Sequence, residues 1–188
     1  MHRSSGLAIG YNLCTIKVTT SWGGLRFLGM DIFSADIGTN IWFINVYGPC
    51  HGREEFWQRF LILEITTFDH LVIGGDLNFS IGFGESWGSQ AQVDPLSGYF
   101  RNSLEQHNLS DIPMLKPLST WRNRRVGDAS LARILDRFLI RVPLLQHLNR
   151  YRQWVGSGGI SHHSPIYLEI LSPESKPKSP LKFNHVSL

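Results

Sequence analysis

Five side chains in this 188-residue sequence carry groups able to orient water, move a proton or hold an anion, and they come from four separate stretches. Asp76 and Asn78 close the stretch Leu71-Val72-Ile73-Gly74-Gly75-Asp76-Leu77-Asn78. Two positions apart, they project to one face if strand geometry continues past the glycines. Gly74-Gly75 lets the backbone turn at the sheet edge and leaves room for a bulky ligand. A carboxylate there orients or deprotonates an attacking water, and an amide holds the water or a phosphate oxygen without adding negative charge. The plainer reading of the pair is a loop in which Asp and Asn cap local backbone groups. His163, in Ser161-His162-His163-Ser164-Pro165-Ile166, is the member that titrates near neutrality, suited to proton transfer or to stabilising an oxyanion. Asp136 lies within the apolar stretch Leu135-Asp136-Arg137-Phe138, where a charge requires a partner: an arginine, or an imidazole that it orients. Arg137 is a poor partner in a strand, because neighbours face opposite ways. Tyr47 ends Asn45-Val46-Tyr47 before Gly48-Pro49, as packing or as a phenol donor to a phosphate oxygen.

The elements that must position these groups follow from hydrophobic period and turn residues. Leu25 to Phe33 and Asn40 to Tyr47 read as an antiparallel pair, with Gly38 in the turn at Asp36 to Thr39. Phe56, Phe60 and Leu63 recur at helical spacing and predict a helix over Arg53 to Thr67, followed by a strand from His70 to Gly74. Pro95 to Leu109 reads as a second helix with Asp94 as its N-cap. Short strands are expected at Ser119 to Asn123, Ala132 to Ile140, Tyr151 to Val155 and Pro165 to Leu171. From Ser172 the composition turns to Ser, Pro and Lys, which predicts one domain over 1–171 and a linker over 172–188.

The length and 42% hydrophobic content suit one domain with a substantial core. No apolar run reaches membrane-spanning length, and residues 1–6 do not resemble a signal peptide, so a soluble, intracellular protein without a membrane partner is expected. No oligomer is indicated. Cys14 and Cys50, without a CxxC pair, read as reduced, partly buried thiols. A net charge of +3 tilts the partner towards polyanions. Trp121, Arg122, Arg124 and Arg125, with Arg133, Arg137 and Arg141, suggest a basic face with an aromatic for stacking; an ordinary solvated face is the alternative. A Zn²⁺ or Cu²⁺ site joining His162 and His163 to His51 or His70 is disfavoured, since adjacent imidazoles in a strand point apart.

Taken in order, NVYGP, GGDLN, Thr120-Trp121, LDRFL and SxHSPI resemble the endonuclease/exonuclease/phosphatase superfamily, and within it the endonuclease domain of plant LINE-type (non-LTR) retrotransposons. The resemblance runs from about Gly6 to Leu171. It implies an α/β fold, a four-layered sandwich of two mostly antiparallel sheets flanked by helices, cleaving DNA phosphodiesters with Mg²⁺, nuclear where functional. It assigns Tyr47 to the scissile phosphate, Asp76 and Asn78 to the attacking water, His163 to the catalytic imidazole and Asp136 to its orientation.

Two departures lower the expected activity. The resemblance puts aspartate in the metal and phosphate cluster where this chain has His162. It also puts an asparagine and the main Mg²⁺ ligand, a glutamate, on strands ahead of this chain's start; no glutamate precedes Glu54. An N-terminally truncated copy lacking the first family strands is therefore expected, with metal binding weakened. By analogy with the loss of an orienting acid, cleavage should fall by roughly 10³ to 10⁴. The alternatives are a catalytically dead nucleic-acid-binding remnant and an inert retroelement fragment.

Overall fold

The structure, a computed structural model, describes residues 7–148 and 150–171. In chain order the elements are β1 (Ile16–Gly23), β2 (Phe27–Ser34), β3 (Thr39–Tyr47), α1 (Arg53–Leu61), β4 (Leu71–Asp76), β5 (Ser86–Trp87) and α2 (Ser97–Gln106), then β6 (Leu109–Asp111), β7 (Trp121–Arg122), β8 (Ala132–Arg133), β9 (Asp136–Arg141), α3 (Val142–His147), β10 (Arg150–Val155) and β11 (Ile166–Leu171). Six strands make the main sheet in the order β1-β2-β3-β4-β9-β6. All its neighbours are antiparallel except β3 and β4, which α1 joins as the crossover that a parallel pair needs.

β4 sits in the middle because Leu71, Val72 and Ile73 are apolar on both faces. Leu71 and Ile73 meet Trp57 and Phe60 of α1 and Phe100 of α2, together with Ile44 and Val46 of β3. Val72 faces the other way, with Ile41, Ile140, Leu144 of α3 and the partly buried Leu168 and Ile170 of β11. Helices α1 and α2 thus cover one face, and α3 with the β10-β11 sheet packs on the other. A three-stranded sheet, β5-β8-β7, completes the expected α/β sandwich of sheets and helices.

Several element boundaries differ from the sequence expectation. The β2-β3 hairpin forms as expected, with Gly38 at φ 74° in its turn. The first helix stops at Leu61, and Glu64–Thr67 forms a separate 3₁₀ turn in which buried Thr66 donates its hydroxyl to Leu61 O at 2.7 Å. Thr hydroxyls compete in this way with the helix ladder. Pro95 lies outside α2, and Leu96, not Asp94, stands at its N-cap; Asp94 instead accepts from Leu96 N at 3.0 Å in the turn ahead of the helix. The strand expected over Ala132 to Ile140 divides into β8 and β9, which lie in different sheets. The linker expected at 172–188 falls outside the described residues. No described helix is long and apolar enough to cross a membrane.

Candidate active site

Three adjacent strands of the main sheet deliver their terminal residues to one row. Tyr47 of β3 is in register with Asp76 of β4, and Asp76 with Asp136 of β9. Residues directly opposite in a ladder share a face, so Tyr47 and the two carboxylates lie in one row of the sheet, with the Arg26 guanidinium over the Tyr47 ring. Two acids opposite each other repel, and the site absorbs that cost. Burial first, and then the Asp136 charge, push the Asp76 carboxyl up to about 6 from an ordinary 3.8.

The third partner is His163. Its Nδ1 donates to Asp136 Oδ2 at 2.8 Å, and its Nε2 stands 3.7 Å from Asp76 Oδ2. The Asp136 bond is the main cause of a raised His163 pKa, which burial opposes and the charges of Asp136 and Asp76 reinforce. The imidazole is therefore held by one carboxylate through one nitrogen and faces a second across a gap longer than a direct hydrogen bond.

Thr120 fixes this arrangement. Fully buried, its Oγ1 accepts from the backbone N–H groups of both Leu135 and Asp136 at 2.9 Å, and its carbonyl accepts from Ser164 N at 2.7 Å. One residue thus ties the strand of Asp136 to the loop of His163, and a bridge between Trp121 and His163 continues the tie. The sequence marked Thr120-Trp121 as a motif but gave no sign of this clamp.

Asn78 is held in the left-handed region at φ 54°. Its N–H donates to Asp76 Oδ1 at 3.2 Å, its side-chain amide donates to Gly48 O at 2.7 Å, and its carbonyl accepts from Arg53 at 3.0 Å. Arg53 is itself clamped by Asp94, whose carboxyl is lowered by the Arg53 bond against the opposing effect of burial. One amide N–H of Asn78 thus serves the scaffold. The glycine pair also works differently from the expectation: the ring of Phe138 occupies the space a Gly74 Cβ would take, so the room serves packing and not a ligand. Gly75, at φ 128° with Val46 O 2.3 Å from any Cβ, is the position that requires glycine.

The basic face is smaller than expected. Arg137 is buried and pairs with Glu85 and Asp111 at 2.9 and 2.7 Å, on the opposite side of β9 from Asp136. Arg141 binds His107 O and Asp69, and Arg133 is half-buried. Arg122, Arg124 and Arg125 do share a groove of about 690 Å³, but Trp87 is the aromatic that lines it, while Trp121 stands at the His163 bridge. His162 turns away from its neighbour: it lines a cleft with Arg122 and Arg124 and stands outside the Asp76–Asp136–His163 group. His70 is engaged by Thr39 and Asn40, so the described residues do not assemble the imidazole-rich metal site. Both cysteines are free and exposed, not partly buried.

Among the described residues, Asp76, Asp136 and His163 are the group whose ligand atoms, within 4.8 Å of one another, suit a metal ion. Mg²⁺ takes oxygen ligands and is commonly bound by one or two carboxylates plus water and substrate phosphate. Asp76 and Asp136 meet that minimum, and a cation between them would relieve the repulsion that raises Asp76. The imidazole contributes no oxygen. The donor set fits Mg²⁺ with few ligands.

No family model matches this sequence, and no curated protein matches it. Solved structures do. The endonuclease domain of TRAS1, a telomere-specific non-LTR retrotransposon, superposes with TM-score 0.65 at 16% identity, over 82% of this chain and 68% of that one. AP endonuclease LMAP from Leishmania major gives 0.56 at 16% identity, over 79% of this chain and 55% of its own length. An endonuclease/exonuclease/phosphatase family protein from Bacteroides thetaiotaomicron gives 0.52 at 11% identity, over 86% and 68%. This chain thus spans little more than half of the Leishmania enzyme. Strand order, packing faces and these superpositions agree: the chain carries the endonuclease/exonuclease/phosphatase fold.

Proposed function

We propose that this chain is a phosphodiester hydrolase of the LINE-type retrotransposon endonuclease kind, acting on DNA with Mg²⁺ and cleaving slowly. The observation that carries the reading is one imidazole gripped between two carboxylates at the end of the central strands, with Tyr47 in the same row. Asp76, ionised above about pH 6, accepts a proton from the attacking water or orients it. His163, its protonated form favoured by Asp136, donates from Nε2 to the oxygen on which negative charge develops. The remaining amide capacity of Asn78 and the Tyr47 hydroxyl position the phosphate. Bound Mg²⁺ would be held by Asp76 and Asp136 and would neutralise charge on the phosphate and leaving oxygen. Slow cleavage follows from the donor set, two carboxylates that are also committed to His163. Trp121, Arg122, Arg124 and Arg125 would hold the DNA backbone without reading bases.

A binding remnant without cleavage is the second reading, favoured by the arginine groove, which needs no metal. Supercoiled plasmid incubated with excess protein and Mg²⁺ separates the two. Slow nicking that Asp76→Ala removes supports the hydrolase; salt-sensitive duplex binding with the plasmid left intact supports the remnant.

A further inference from the structure

We propose that the cleft between the end of β7 and the loop entering β11 is a subsite for a backbone phosphate of nucleic acid, with Arg122, Arg124 and His162 as its donors. The inference rests on the hydrolase reading of the neighbouring pocket and adds a second anchoring point to it. The cleft measures about 290 Å³, and Ser119, Ser161 and Ser164 line it along with the three donors. It contains no carboxylate. Its chemistry is therefore that of an anion site: guanidinium forks, imidazole and hydroxyls.

Two features show that the donors are held in place. Arg122 Nε donates to Ser119 Oγ at 2.8 Å, which fixes the guanidinium plane, and its terminal nitrogens make no hydrogen bond among the described residues. Arg124, in the left-handed region at φ 55°, reaches across to donate to Gly159 O and Ser161 O, both at 2.5 Å. A non-glycine residue at positive φ is strained, and such strain persists only where the surroundings enforce it. The loop that receives Arg124 lies close against Ser164, whose Oγ is 2.9 Å from any Cβ built on Gly158.

The placement relative to the pocket gives the subsite its role. His162 and His163 are consecutive, about 3.8 Å apart at Cα, yet His163 faces the two acids while His162 faces the arginines. A strand with one phosphate at His163 would bring an adjoining phosphate towards the cleft. A planar guanidinium matches a phosphate in bidentate fashion, and a cleft lined by arginines, an imidazole and hydroxyls without a carboxylate suits that anion.

Fluorescence anisotropy of a short duplex, titrated without divalent metal over a series of salt concentrations, tests this. Arg122→Gln should weaken binding about tenfold and lower the salt slope by about one, the value of one phosphate contact. His162→Asp should weaken it by at least as much, because a carboxylate then occupies the arginines. Arg59→Gln, on the exposed side of α1, should bind as wild type, and thermal unfolding of all three should match wild type. A duplex that binds wild type and both cleft variants alike overturns the subsite while sparing the hydrolase reading. In parallel, inorganic phosphate is added while the His162 ring resonances are followed by NMR. Phosphate shifts that Arg122→Gln abolishes, in a protein that binds no duplex, would replace the backbone assignment with a free-phosphate site. Silence in both experiments overturns the proposal and leaves plasmid nicking to judge the hydrolase reading.

Discussion

The acidic row and the arginine cleft lie one residue apart in sequence and are built by opposite means. The row is made of side chains at the ends of β3, β4 and β9, in the middle of the sheet, where ladder register sets their spacing. The cleft is made from a two-residue strand and a glycine-rich loop, held by side-chain bonds to backbone carbonyls. Groups that must meet within hydrogen-bond distance sit on the rigid element, and groups that only have to attract a phosphate sit on the adaptable one. β9 repeats the division at one step: Asp136 enters the row, and Arg137 on the other face enters a buried ion cluster.

That contrast is sharpest in stability. Arg137→Ala strands Asp111 and Glu85 beside an apolar core, and should cost about 3 to 5 kcal/mol in urea unfolding. Arg124→Ala, which loses only exposed bonds, should cost under about 0.5 kcal/mol. Similar losses for both would erase the distinction between scaffold and cleft. Thr120→Val should come next: two backbone N–H groups lose their acceptor, for about 1 to 3 kcal/mol, and nicking should fall with it. Thr120→Ser, which keeps the acceptor, should restore most of both. A Val variant as stable and active as wild type would show that the clamp holds nothing.

A smaller effect has the reverse sign. Because the folded-state pKa of Asp76 lies above its unfolded value, the folded state binds more protons between pH 3.8 and about 6, and stability falls as pH rises through that window. The raised His163 acts in the same direction, its contribution being complete below 6.5 and lost as pH rises through its folded pKa. Asp76→Asn should therefore stabilise the protein at pH 7.5, by on the order of 1 kcal/mol after allowance for partial exposure, and abolish cleavage. An Asn variant that is destabilised at pH 7.5 would show that the acid is not under strain. The smallest effect belongs to Arg125→Gln, expected to lower only the salt slope of DNA binding, by about one; an unchanged slope would remove Arg125 from the interface.

How much of this was legible follows the same division. Tyr47 and Asp76 could be anticipated because they close apolar runs that mark strands, whereas Asp136 was expected inside a strand and its meeting with His163 came from the family resemblance. The hairpin with Gly38 and the helix at Phe56 and Phe60 were visible for the same reason. What stayed hidden depends on partners distant in sequence. Nothing near Arg137 indicates that it turns inward to Glu85 and Asp111, nothing near Asp94 that it clamps Arg53 where a helix cap was expected, and nothing near Trp87 that it lines the arginine groove. The opposed directions of His162 and His163 were anticipated from strand geometry, but the cleft that receives His162 was not. Residues 86–87, 109–111 and 142–147 form elements too short to leave a period in the sequence.

The central claim is that Asp136 and His163 act as a unit, Asp136 orienting the imidazole besides its share in holding Mg²⁺. Single-turnover nicking by excess protein with Mg²⁺, measured for Asp136→Ala, His163→Ala and the double variant, tests it, because residues that act as a unit are not additive. The account predicts that adding Asp136→Ala to His163→Ala costs much less than Asp136→Ala costs the wild type, what remains being the share of Asp136 in holding Mg²⁺. Losses that multiply, or nicking undiminished in His163→Ala, would contradict it.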